Sequence, residues 1–83
     1  MIMQYTTSQA VAKRIRELCK ENNLTQYQLA LNSGIHFGSL SNVLNSNNKG
    51  LTLATVVKIA GGFDMSVSEF LDDPMFDEDN LKL

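Results

Sequence analysis

The chain has 83 residues, of which 43% are hydrophobic and 19% charged, and its formal net charge is −2. That length allows one small domain, and the apolar share excludes wholesale disorder. No apolar run approaches the ~20 residues that a membrane-spanning helix needs.

The opening residues lack the basic-then-apolar order of a signal peptide, and a lone cysteine, Cys19, cannot staple the fold, so a cytoplasmic protein is expected. The charge is unevenly placed. Up to residue 63, Lys13, Arg14, Arg16, Lys20, Lys49 and Lys58 outweigh Glu17 and Glu21, giving +4. From residue 64 onward, Asp64, Glu69, Asp72, Asp73, Asp77, Glu78 and Asp79 face only Lys82, giving −6. The first three-quarters is mildly basic and the acid is gathered at the end.

Residues 1–7 are expected to be loose. Thr6 with Gln9 three residues later reads as a capping box for the first helix, with Thr7 or Ser8 as alternative caps. That helix runs to about Asn22, with Val11, Ile15, Leu18 and Cys19 on one face. Cys19 reads as a small packing residue rather than a reactive thiol. Lys13, Arg14, Arg16, Glu17 and Lys20 form either a solvated face or one from which a cation or two reaches a phosphate. Asn22 and Asn23 end the helix, because asparagine tolerates the left-handed conformation.

A second capping box, Thr25 with Gln28, opens a helix from Gln26 to about Asn32. Leu29 and Ala30 face the core, and Gly34 breaks the helix. Ile35 is the apolar residue of the turn. A third helix runs from about Phe37 to Leu44, with Leu40, Val43 and Leu44 on one side. Helix, short glycine turn, helix is the pattern of a helix-turn-helix.

Asn45 to Gly50 is a loop by composition, anchored by Leu51. Thr52 caps a fourth helix, Leu53 to about Gly61, with Leu53, Val56, Val57, Ile59 and Ala60 inward and the Gly61-Gly62 pair as its stop. Phe63 and Met65 belong to the core. Ser66 and Glu69 form a third capping box for a short fifth helix with Phe70 and Leu71 inward, which Pro74 stops. The domain is expected to end near residue 73. The tail, residues 74–83, mixes acids with Met75, Phe76, Leu81 and Leu83. It is either a frayed terminus or a docking segment, for its own domain or for a second subunit. No alternating strand pattern or internal repeat is present. His36 has no second ligand at a fixed spacing, there is no glycine-rich phosphate loop, and the carboxylates cluster in the tail. No enzyme activity, metal or cofactor is expected.

The residues Thr25-Gln26-x-x-Leu29-Ala30-x-x-x-Gly34-Ile35-x-x-x-x-Leu40-Ser41-x-x-Leu44-Asn45 resemble the helix-turn-helix of the Cro/phage-repressor (XRE) family. Leu53-x-Thr55-x-x-Lys58-Ile59-Ala60 and Ser66-x-x-Glu69-Phe70-Leu71 resemble that family's fourth and fifth helices. The resemblance covers roughly residues 8 to 72. It implies an all-α fold, a compact five-helix bundle of the lambda-repressor type. It also implies a sequence-specific transcriptional regulator, a repressor by preference, from a bacterial phage, plasmid or mobile element.

In a helix-turn-helix the second helix lies in the major groove and the first crosses the backbone. Phe37, Gly38, Ser39 and Asn42 are then the base-contact candidates. Asn42 can pair with adenine, Ser39 can bond either base type, and Phe37 can pack on a thymine methyl or else sit in the core. Gln26 takes a phosphate at a helix N-terminus, as the matching family glutamine does. Ser41, Asn45, Asn47, Asn48 and Lys49 are candidate backbone contacts. The family commonly carries polar residues at the positions of Phe37 and Gly38, so direct base reading here falls to few side chains, and specificity is either low or rests on DNA shape. The expected partners are double-stranded DNA and a second copy, forming a homodimer through Phe70, Met75 and Phe76. The alternative is a protein-interaction module of antitoxin type, with weak or lost DNA binding, that uses Phe37 and the tail.

Overall fold

A computed structural model of the chain describes residues 4–45 and 51–83. Five helices follow in order: α1 Thr7–Glu21, α2 Gln26–Ser33, α3 Phe37–Leu44, α4 Leu53–Gly62 and α5 Val67–Phe70. Two single 3₁₀ turns, Pro74–Phe76 and Glu78–Asn80, complete the chain. The described residues are otherwise irregular, apart from one isolated bridge between Tyr5 and Leu81. The all-α five-helix bundle is therefore the fold. Among the described residues no helix is long and apolar enough to cross a membrane.

The caps do what their residues can do. All three capping boxes form, at Thr6/Gln9, Thr25/Gln28 and Ser66/Glu69, each satisfying two backbone amides that a helix start leaves unpaired. Asn23 adopts φ 53° after α1, and Gly34 adopts φ 69° after α2. Ile15, Leu29, Leu40, Ile59 and Phe70, one from each helix, are fully buried and meet in a single core. Leu24, Ile35, Leu51, Phe63 and Met65 close over it from the connections. Cys19 is buried, and that burial pushes its thiol pKa up, which suits a packing role.

Several expectations are corrected by the packing. The buried stripe of α4 is Val56, Ile59 and Ala60, continued by Phe63, whereas Leu53 and Val57 are 68% and 46% exposed. The stripe is i, i+3, i+4, i+7 counted from Val56, which turns Val57 well away from it and leaves Leu53 at the free first turn. Leu53 lines a shallow apolar groove of about 250 Å³ with Leu51, Leu71 and Phe76. Leu71 is exposed because it is the C-cap of the four-residue α5, whose inward side is taken by Phe70 and by the half-buried Val67. α4 ends at the glycine pair as expected, with both glycines still helical and the positive φ coming later, at Asp64. Gly62 also lets α4 pass close to α2. A Cβ there would collide with Ser33 Oγ and stand 3.0 Å from Leu29 Cδ1.

The N-terminal residues from Tyr5 onward are tied down rather than loose. The Tyr5 amide donates to Asn80 O at 3.0 Å, and the Lys82 amide donates to Tyr5 O at 2.6 Å. The tail docks on its own domain. Asp73 accepts from the Met75 amide, Asn80 Nδ2 donates to Pro74 O, Met75 is buried, and the Phe76 ring meets Phe70 at 6.1 Å. This removes the expected dimer surface: Phe70 and Met75 are consumed inside the subunit.

Candidate nucleic-acid interface

α2, the turn at Gly34 and α3 form the helix-turn-helix. Gly34 is in the left-handed region, and the Ile35 amide donates to Ala30 O, so the chain turns from α2 into α3 within three residues. Leu29, Ala30 and Ser33 turn α2 inward, and Leu40, Val43 and Leu44 turn α3 inward. With 100° between successive residues, burying those three on α3 sends Gly38, Ser39 and Asn42 to the opposite side, and all three are exposed. Nothing stands within 4 Å of a Cβ built on Gly38, so the first turn of α3 is open to close approach.

Phe37 lies at the seam between the two faces. It is 46% exposed, so the core alternative is excluded, and its ring contacts the Tyr27 ring of α2 at 6.0 Å and 52°. Tyr27 is 60% exposed and Leu31, one turn further along α2, is 64% exposed. Gln26 is the exposed first residue of α2. Ser41 is half-buried and accepts from Asn45 Nδ2 at 3.4 Å, at the far end of α3. Asn47, Asn48 and Lys49 lie outside the described residues. His36 is the N-cap position of α3, exposed and without a side-chain capping bond.

The structure redistributes the cations of α1. Arg16 Nη2 donates to Leu44 O at 2.7 Å, binding the last carbonyl of α3. Arg14 donates to Phe70 O at 2.8 Å and to Glu69 O at 3.1 Å, and lies 3.6 Å from Asp73. Lys13 pairs with Glu17 at 2.7 Å, and that hydrogen bond raises the lysine pKa. Lys20 and Lys58 make no ion pair among the described residues. The positive charge read from composition is thus partly spent on helix ends and on a neighbouring carboxylate.

Sequence reasoning missed Tyr27 and the role of Arg16. Tyr27 was legible in principle, since Tyr27 and Leu31 form an i, i+4 apolar pair on the side of α2 away from Leu29 and Ala30. Arg16 was not, because its partner is a backbone carbonyl 28 residues away.

A core-pinned α3 with a bare outward face, preceded across a glycine turn by α2, defines a helix-turn-helix domain of the DNA-binding kind. The profile of a helix-turn-helix family, the Cro/C1-type or XRE family, matches residues 15–70. The chain belongs to that family, a family of DNA-binding regulators. The crystal structure of the prophage Lp1 protein 11 is similar, with a TM-score of 0.78 and 28% identity over 92% of this chain and 99% of that one. No curated protein matches the chain.

Proposed function

We propose that the protein is a transcriptional repressor that reads the major groove with α3 as a homodimer. The observation that supports this most is the exposure of Gly38, Ser39 and Asn42 on one side of α3 while Leu40, Val43 and Leu44 fix its other side. Asn42 presents an amide able to donate to and accept from adenine, and Ser39 a hydroxyl for either base type. Gln26 stands where a phosphate would meet the first amides of α2. Ser41 and Asn45 reach the backbone at the other end of α3. One eight-residue helix covers few base pairs, and two copies reading half-sites about 34 Å apart would supply the rest.

With few cations free, phosphate attraction alone gives weak binding, and specificity depends on the α3 contacts. Selection from a random duplex library, repeated at about 50 and 200 mM salt, tests the reading. The expected result is a roughly palindromic motif that survives the higher salt at reduced affinity. Absence of enrichment at either salt would contradict it. Gln26→Ala should weaken binding to all duplexes alike; a change confined to one sequence would remove it from the phosphate role.

A further inference from the structure

The reading face carries an apolar feature that hydrogen-bond recognition leaves unused. Phe37, Tyr27 and Leu31 are all exposed, the two rings touch, and the group straddles the junction of α2 and α3. Single exposed apolar residues are ordinary, but three gathered at a functional edge are not. Phe37 is the first residue of α3, the end that enters the groove in a helix-turn-helix. The next residue, Gly38, has no side chain to shield it, and open space surrounds that position. The bulky group available at this corner is therefore an aromatic ring held from behind by a second ring. In the major groove, one base feature can only be met by such a surface: the C5 methyl group of thymine, which neither donates nor accepts a hydrogen bond. 5-Methylcytosine places a methyl at the same C5 position.

Building on the proposed DNA-reading role, we infer that the Tyr27–Phe37 ring pair is a reader of pyrimidine C5 methyl groups, with Phe37 touching the methyl and Tyr27 positioning it. Tyr27 acts through Phe37: its ring, packed at 52° to that of Phe37, limits the rotamers the phenyl group can take. The ligand is a duplex with thymine or 5-methylcytosine at one defined position of each half-site. The contact selects by apolar burial, which explains how a helix with few polar groups in its first turn could still discriminate sequence.

The test uses the intact chain and the duplex chosen by library selection, with deoxyuridine replacing each thymine in turn. Uracil pairs as thymine does and lacks only the methyl. At one thymine per half-site, the substitution should weaken binding about fourfold, the factor that ~0.8 kcal/mol for one buried methyl corresponds to. At that position a 5-methylcytosine·guanine pair should bind about fourfold better than cytosine·guanine. Phe37→Ala should bring the thymine-to-uracil ratio close to one. Tyr27→Ala should lower that ratio, and Tyr27→Phe should restore it, since only the ring is required. A chain that selects a site yet binds thymine and uracil duplexes equally at every position overturns the methyl reading alone. An unchanged ratio in Phe37→Ala does the same and assigns the exposed rings to another partner. A chain that selects no duplex overturns the underlying DNA reading as well.

Discussion

Two short helices, α3 and α5, end against the same long helix and are held by arginines only two residues apart, yet the two ends are built differently. At α5, Arg14 bonds two carbonyls, lies beside Asp73, and has a side chain only 13% exposed. Phe70 is fully buried beneath it, and the tail folds over the same corner through Met75 and Phe76. At α3, Arg16 makes a single bond to the last carbonyl, and the helix offers the solvent a bare face of Gly38, Ser39 and Asn42. In both cases a cation meets the negative end of a helix, where carbonyls have no partner within the helix. The carboxy-terminal corner is closed and redundant, whereas α3, the helix proposed to read bases, is fixed on its inner side only.

Substitutions that attack each end should separate the two. The largest effect belongs to the closed corner. Phe70→Ala should cost about 3–5 kcal/mol of stability, measured by denaturant unfolding, because it empties the space at which α5 and the tail meet the core. A loss below about 1 kcal/mol would show the corner to be less well packed than described. Arg14→Met should cost about 2–3 kcal/mol, since the part-buried Phe70 carbonyl, the exposed Glu69 carbonyl and Asp73 lose a charged partner together. Arg16→Met should cost about 1–2 kcal/mol, for one such bond. The two should also differ in kind. Under conditions where both variants are fully folded, Arg16→Met should weaken duplex binding and Arg14→Met should not. Equal effects on binding would erase the distinction between the two ends.

The smallest effect is a gain. Ser33 Oγ is buried without a hydrogen-bond partner among the described residues, at the point where Gly62 brings α4 against α2. Ser33→Ala should stabilise the chain by about 1 kcal/mol, seen as a higher denaturation midpoint. The same change should soften the penalty of Gly62→Ala, because the colliding hydroxyl is gone.

The elements of the fold were readable because their signals are local. Thr6/Gln9, Thr25/Gln28 and Ser66/Glu69 set helix starts within four residues, and Gly34 marks the turn without reference to anything distant. The apolar face of α3 was readable for the same reason, and with it the outward positions of Gly38, Ser39 and Asn42. What was not readable depends on partners far along the chain. Leu53, Val57 and Leu71 fit an apolar stripe by spacing, but which way α4 and α5 turn that stripe is decided by the neighbours they meet. The tail's fate hinges on Tyr5 pairing with Leu81, and its acidic composition alone pointed as easily to a frayed end. The cations of α1 looked available for phosphate until Leu44 O, Phe70 O and Asp73 were placed beside them.

We propose base reading by the outward side of α3. It is tested most directly by measuring the affinity of the wild type and of a Ser39→Ala/Asn42→Ala double variant for the selected duplex and for a scrambled one. Both side chains are exposed, so the variant should fold as the wild type does. The variant should lose about 1–3 kcal/mol on the selected duplex while its affinity for the scrambled duplex stays unchanged. Equal binding of the selected duplex by both proteins would contradict it.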